Sequence, residues 1–258
     1  MRKLLSVVVS VYNEEAVLEQ FYQEAGAVLE SIGWDYELLF VNDGSGDGSF
    51  RILTELAGRD SHVKVVSFSR NFGHEAAMIA GLDHSRGDAI ICMDADLQHP
   101  PRCIPLILEK FEQGFDVVNM VRTKNESAGW FKNLASSCFY KLINVLSDVK
   151  FENNASDFFA VSTRVAQVLR DSYREKVRFL RGYVQNVGYA KTTIAYEAGV
   201  RAAGESKYSI RKLFQFSVNT IVCFSNLPLK LGIYAGGVAA FLGVVVMIYT
   251  LFTRGGAP

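Results

Sequence analysis

Net charge is missing from this chain. Its 27 basic and 27 acidic side chains cancel over 258 residues, so no global field would recruit nucleic acid, and no RNA- or DNA-binding signature makes up for it. Paired cysteines are missing too. Cys92, Cys103, Cys138 and Cys223 stand singly in apolar contexts with no CxxC spacing, which predicts buried, reduced thiols instead of a disulfide framework or a zinc site. There is no internal repeat, no GxxxxGK[ST] and no GxGxxG, which argues against a P-loop or a dinucleotide fingerprint. Met1-Arg2-Lys3 runs straight into a strand-like segment, so no signal peptide is expected. A local absence points the other way, because Leu231–Thr253 carries no charged residue. That run is long enough to cross a bilayer as a helix, and a core helix would rarely be apolar all round for this length. Lys207, Arg211, Lys212 and Lys230 precede it and only Arg254 follows, so the positive-inside tendency places the N-terminal part in the cytoplasm.

What is present begins with the β-branched run Leu4–Val11, the kind found in a strand buried on both faces. A helix is predicted over about Ala16–Ile32, with Asn13 or a neighbour as its cap and Glu14-Glu15 suiting its N-terminal dipole. Strands at Tyr36–Val41, Val63–Phe68 and Ala89–Met93 then alternate with helices near Ser49–Gly58 and His74–His84, which implies a parallel sheet covered on both faces. Ligands of such sheets lie beyond the C-terminal strand ends. Three of these ends carry polar clusters, Tyr12–Glu15, Asn42–Ser49 and Asp94–His99, so the three should meet in one crevice.

In Ile90–Pro101 an apolar strand ends in two carboxylates one residue apart, and Pro100-Pro101 stops it. Alternate residues of an extended chain point the same way, so Asp94 and Asp96 can converge. A hard divalent ion that keeps waters and bridges to substrate phosphates would relieve their repulsion. Turn-forming aspartates at a strand end are the plainer reading of the same residues. Likewise Asn42–Ser49 is either a flexible turn or a loop where Asp43 accepts hydrogen bonds from a base or ribose while glycines allow close approach. Further on, a helix after Pro101, a strand Phe115–Val121 ending in Arg122, an amphipathic helix Trp130–Leu146 and a turn entering a short strand at 153–161 are expected. A helix Thr163–Arg170 and a strand near Ala190–Tyr196 follow, and Ile210–Val222 repeats its apolar residues at helical spacing beside Arg211 and Lys212, as in a helix lying in a membrane surface or, on the plainer reading, one covering the sheet.

Taken in order, VSVYNEE, VNDGSGDGS, MDADLQHPP, RFLRG and the spaced RAAGESKY resemble family 2 glycosyltransferases of the GT-A fold. Within it the chain is most similar to polyprenyl-phosphate glycosyltransferases, which include bactoprenol glucosyltransferases and dolichol-phosphate mannose synthases. The resemblance implies an α/β GT-A domain over 1–208, a mostly parallel sheet with helices on both faces, followed by a juxtamembrane amphipathic segment over 209–230 and a membrane helix over 231–253. It implies a nucleotide-sugar donor held by Tyr12, Glu14, Asp43, Asp94 and Arg122, and Mg²⁺ or Mn²⁺ bound by Asp94 and Asp96 with Gln98 close by. Arg201 and Lys207 match positions near the donor and acceptor phosphates, Lys132 and Ser136 match an acceptor-side pair, and Asp157 matches an aspartate assigned as the base. The expected reaction is inverting transfer of a sugar, with uridine favoured over guanosine, to polyprenyl phosphate at the cytoplasmic side of the plasma membrane. Self-association is expected as well.

Three departures qualify the match. Ser10 stands where proline is usual, and Phe159 where an arginine usually follows the motif aspartate. One C-terminal span stands where the bacterial subgroup carries two, which leads to the expectation of a truncated chain. Phe159 also keeps open a catalytically silent nucleotide-sugar-binding protein anchored in the bilayer. A processive polysaccharide synthase would show QxxRW, and Gln185–Tyr189 does not.

Overall fold

The computed structural model describes residues 2–123, 155–175, 179–199 and 227–254. It divides into two compact units, residues 1–134 with 151–207 and residues 135–150 with 208–258. The first is built on a seven-stranded sheet. Its parallel part comprises β1 (Leu4–Val11), β2 (Asp35–Asn42), β3 (Val63–Ser67) and β4 (Ala89–Asp94). The second part comprises β5 (Val117–Arg122), β6 (Ala155–Ser162) and β7 (Lys191–Tyr196). The spatial order is β3-β2-β1-β4-β6-β5-β7.

Helices α1 (Leu18–Ser31), α2 (Ser49–Arg59), α3 (His74–His84) and α4 (Ile104–Glu112) connect the early strands, with a short 3₁₀ turn Pro101–Cys103 leading into α4. Later come α5 (Thr163–Ser172) and α6 (Leu180–Asn186). β1 is buried on both faces, as its unbroken apolar run requires. On one face Leu5, Val7, Val9 and Val11 pack with Leu18, Phe21, Ala25 and Leu29 of α1. On the other, Gly81 brings α3 directly onto Val8, since a Cβ there would lie 2.1 Å from Val8 Cγ1. Cys92 and Cys103 are buried free thiols, as expected from their settings.

β6 is a full strand that runs antiparallel between β4 and β5, whereas β7 pairs with β5 in parallel. The sheet is therefore mixed and mostly parallel, as the GT-A resemblance implies. The reversal places Asp157 beside the C-terminal end of β4. By strand alternation Phe158 and Ala160, both in the core cluster, point to one face, while Asp157 and Phe159 point to the other.

In the second unit α7 (Leu227–Arg254) contains an apolar stretch, Leu229–Thr253, long enough to cross a membrane. The hydroxyls of Thr250 and Thr253 donate back to the carbonyls of Val246 at 3.0 Å and Tyr249 at 2.9 Å, which keeps their polarity inside the helix. The amphipathic helix expected before it, and the one expected at Trp130–Leu146, lie outside the described residues.

Candidate active site

The ends of β1 and β2 are stitched together by short polar side chains. Asn13 adopts a left-handed φ of 57°, and its Oδ1 accepts the Gly46 N–H at 2.8 Å while Ser45 Oγ accepts the Asn13 N–H at 3.0 Å. Ser49 Oγ accepts the Glu14 N–H at 2.9 Å, and Glu15 Oε2 accepts the Gly48 N–H at 2.6 Å. Asn13 is therefore not the cap of α1, which begins at Leu18 with no side-chain cap. Its polarity is used between loops instead. Tyr12 and Glu14 stand at the rim of this junction, with Tyr12 exposed.

Asp43 has a different setting from the one its motif suggests. It is 2% exposed, and its carboxylate accepts the N–H groups of Phe72 at 2.7 Å and Gly73 at 2.9 Å and the Asn71 side-chain amide at 2.9 Å. Gly44 completes the contact: its φ is +65°, and a Cβ would lie 2.3 Å from the Arg70 carbonyl carbon. Asp43 thus pins the Arg70–Gly73 loop, which leads directly into α3 and leaves Phe72 on the surface.

At the end of β4 the alternation argument needs amending. The strand stops at Asp94, Leu97 takes a left-handed φ of 62°, and Asp96 Oδ1 accepts the Gln98 N–H at 3.1 Å. Asp96 therefore sits in a turn and is 8% exposed; the turn, not the pleat, sets its direction. Asp94 is partly exposed, spends Oδ1 on the Ser10 hydroxyl at 2.7 Å and keeps Oδ2 3.7 Å from His99, beyond hydrogen-bond reach. A carboxylate with an uncommitted oxygen beside a second carboxylate suits a hard cation that takes its remaining ligands from water and phosphate. Among the described residues no group of three or more His, Cys, Asp or Glu side chains forms a metal cage.

Two histidines organise the site, His74 outside the quoted motifs and His99 within MDADLQHPP. His74, the first residue of α3, places Nδ1 3.0 Å from Ser10 Oγ and 3.4 Å from Asp94 Oδ1, and Nε2 3.8 Å from Asp157 Oδ2. Because Ser10 donates to Asp94, it must accept from His74, so the imidazole, Ser10 and Asp94 form a directed chain of donors. A proline at position 10 could not take part. Burial disfavours charge on His74, but Asp94, Asp157 and Glu75 outweigh it and hold its pKa above the ordinary histidine value. His99 is 1% exposed and stacks on Phe158 with ring centroids 5.1 Å apart. Its Nδ1 accepts the Asp94 N–H at 2.9 Å, and burial keeps its pKa below the ordinary value. The neutral ring therefore carries its proton on Nε2. Arg122 Nη2, 3.4 Å from that nitrogen, is in packing contact and not donating to it. Arg122 Nε donates instead to Tyr196 Oη at 3.1 Å.

On the far side of His74, Asp157 meets Arg181, whose Nη1 is 3.6 Å from Oδ1. Burial would raise the Asp157 pKa, yet Arg181, His74, His99 and Arg122 together hold it below the usual carboxylate range. Glu75 behaves oppositely: burial and then Asp157 push its pKa up to about 7, against the Leu180 N–H, His74 and Arg181. Its Oε2 accepts that Leu180 N–H at 2.8 Å. Of the site residues expected from sequence, Asp94, Asp157 and Arg122 converge around His74 and His99, with Asp96 and Gln98 in the adjoining turn and Tyr12, Glu14 and Asp43 at the neighbouring strand ends. Lys132, Ser136, Arg201 and Lys207 lie outside the described residues. Gly199 packs on the same turn, where its N–H donates to Gln98 O at 3.3 Å.

Known proteins resemble this chain in sequence and fold. The uncharacterized glycosyltransferase YkcC of Bacillus subtilis is 41% identical over 249 residues, spanning 96% of this chain and 77% of the relative. The bactoprenol glucosyl transferase of Shigella phage SfV is 36% identical over 251 residues, spanning 96% and 81%. Among solved structures, glucosyl-3-phosphoglycerate synthase from Mycobacterium tuberculosis, in complex with Mn²⁺, UDP-glucose and phosphoglyceric acid, superposes with a TM-score of 0.57 at 18% identity, covering 85% of this chain and 77% of that one. That likeness establishes the GT-A-like fold. The family model for glycosyl transferase family 2 matches residues 6–170, and with these relatives it shows that the chain belongs to that family of glycosyltransferases.

Proposed function

We propose that the chain transfers a sugar, with inversion, from a nucleotide-sugar to a polyprenyl phosphate at the cytoplasmic face of the plasma membrane, giving a lipid-linked sugar. The observation that carries the reading is the placement of Asp94 and Asp157 on opposite sides of the His74 imidazole, at 3.4 and 3.8 Å. One carboxylate faces the Asp-x-Asp turn, where the donor diphosphate would lie. The other faces the side from which an acceptor would approach. Similarity to bactoprenol glucosyl transferases supports a lipid acceptor and favours a uridine-linked sugar.

Asp94 and Asp96, with Gln98 near, would hold Mg²⁺ or Mn²⁺, which when bound supplies charge neutralisation on the leaving diphosphate. The protein's own share is positioning. His74 and Ser10 fix Asp94, and the Asp43-anchored loop fixes the start of α3 that carries His74. Arg122 adds positive charge where negative charge builds. The acceptor phosphate has a second pKa of about 6 and is mostly ionised at neutral pH, so Asp157 orients it or a basic partner more than it removes a proton. Burying two substrates in line supplies much of the remaining acceleration. A polyprenyl chain is held in the bilayer by about 0.8 kcal/mol per CH₂, so the site must come to the surface. Leu229–Thr253 would anchor it there, with 1–208 as the catalytic part.

The test is nucleoside-diphosphate release in detergent from UDP-glucose, UDP-N-acetylglucosamine and GDP-mannose, each with and without undecaprenyl phosphate and Mn²⁺. Release that needs lipid, metal and one of these donors supports the proposal. Nucleotide binding without release from any donor would favour a silent binding protein.

A further inference from the structure

Asp157 needs a partner that its own strand does not supply. The position two residues on, where the resemblance expects arginine, is Phe159, 2% exposed and paired across the sheet with Cys92 in β4 and Asn119 in β5. A cation cannot come from there. It comes instead from another element. Arg181, near the start of α6, is largely buried and reaches to 3.6 Å from Asp157 Oδ1. The other carboxylate oxygen faces His74 at 3.8 Å, so the carboxylate has a basic neighbour on two sides, each just beyond hydrogen-bond distance. Arg181 is itself placed, because Glu75 of α3 accepts the backbone N–H of Leu180 at 2.8 Å. One helix thus supplies His74 to Asp157 directly and, through the next residue, fixes the segment that brings Arg181.

We propose that Arg181 is a positioning residue for the transfer reaction: it aims the Asp157 carboxylate into the crevice from α6, with Glu75 holding the start of that helix in place. The inference rests on the function proposed above. Its physical basis is that a permanent positive charge 3.6 Å from Oδ1 attracts the carboxylate and biases its orientation, which an ammonium can partly replace and a neutral amide cannot. Because Arg181 acts through Asp157, its effect should vanish once that carboxylate is gone.

The experiment is a double-mutant cycle on the full chain in detergent, read as kcat and donor KM for lipid-dependent nucleoside-diphosphate release. Arg181→Gln should lower kcat by about five- to tenfold, no more than the loss of the Asp157 carboxylate itself, and leave donor KM within about twofold. In an Asp157→Ala background the same substitution should change kcat by less than about twofold, because the two residues act as a unit. Arg181→Lys should recover part of the loss. If the Gln variant fails to fold, the Lys variant is carried through the same cycle. Equal losses in the two backgrounds, a rise confined to donor KM, or a Lys variant no better than Gln where Gln folds, would overturn the inference. A wild-type protein with no lipid-dependent release would instead overturn the function on which it rests, so the two failures are distinguishable.

Discussion

Replacing Glu75 by glutamine isolates one titration that the fold makes visible. Glu75 has its pKa raised from 4.5 to about 7, first by burial and then by the Asp157 charge. The folded chain therefore keeps a proton that the unfolded chain releases. For a group raised in this way, the stabilising contribution is fully present below the unfolded pKa and is lost as pH rises through the folded value. At about 1.4 kcal/mol per pH unit the shift bounds this loss at about 3 kcal/mol, and the partial exposure of Glu75 brings the expectation to about 1–2 kcal/mol. The amide introduced by Glu75→Gln keeps a carbonyl oxygen for the Leu180 N–H and cannot titrate. Urea midpoints of both proteins in detergent without divalent metal, at pH 5 and pH 8, provide the assay. The wild type should lose about 1–2 kcal/mol more than Glu75→Gln between the two. His74, also raised, gives a slope of the same sign in both proteins and so largely subtracts. Identical pH slopes, or a wild type that gains relative to the variant, would refute the reasoning.

Three other substitutions probe the rest of the site. Asp43→Ala strands two backbone N–H groups and an amide and should cost about 3–4 kcal/mol of stability, with hydrogen exchange at Phe72 and Gly73 rising most; unchanged exchange there would contradict the anchoring role. Asp96→Ala should abolish the Mn²⁺-dependent part of nucleotide-sugar binding in calorimetry while leaving the melting temperature within a few degrees. Asp157→Asn should keep activity within about tenfold of wild type and rise little above about pH 7, since general-base removal usually costs about 10²–10⁴-fold; a loss of several orders of magnitude at every pH would make Asp157 a true base.

The parallel half of the sheet is readable because its strands are rich in apolar residues and run into polar ones, as Asn13 after β1, Asn42 and Asp94 show. β6 is not readable in the same way. Its direction depends on pairing with β4 and β5, and nothing local in Ala155–Ser162 records whether the chain enters from one end or the other. The role of Asn13 is masked by its likeness to a cap: the same short amide that can satisfy a helix end satisfies Gly46 across a loop junction. The roles of His74, His99, Glu75 and Arg181 escape a sequence reading for a shared reason, although His99 and Arg181 lie within MDADLQHPP and RFLRG. Their chemistry comes from partners far along the chain, such as Asp157 for His74 and Leu180 for Glu75. A signal exists in Gly73, whose φ of 100° marks a sharp entry into α3 and so a fixed place for His74. Ser10 shows the converse: read as a lost proline, it is a gained hydroxyl that joins His74 to Asp94.

The central claim is that the sugar ends on a polyprenyl phosphate. It is tested most directly by incubating the full chain in detergent with Mn²⁺, undecaprenyl phosphate and sugar-labelled UDP-glucose, then following the label by organic extraction and mass spectrometry. UDP-N-acetylglucosamine and GDP-mannose serve as parallel donors. The account predicts label in the organic phase, in a species whose mass is the lipid phosphate plus one hexose or N-acetylhexosamine, from one of these donors and only when lipid and metal are both present. Label that stays in the aqueous phase with every donor, in a preparation that still binds nucleotide, would contradict it.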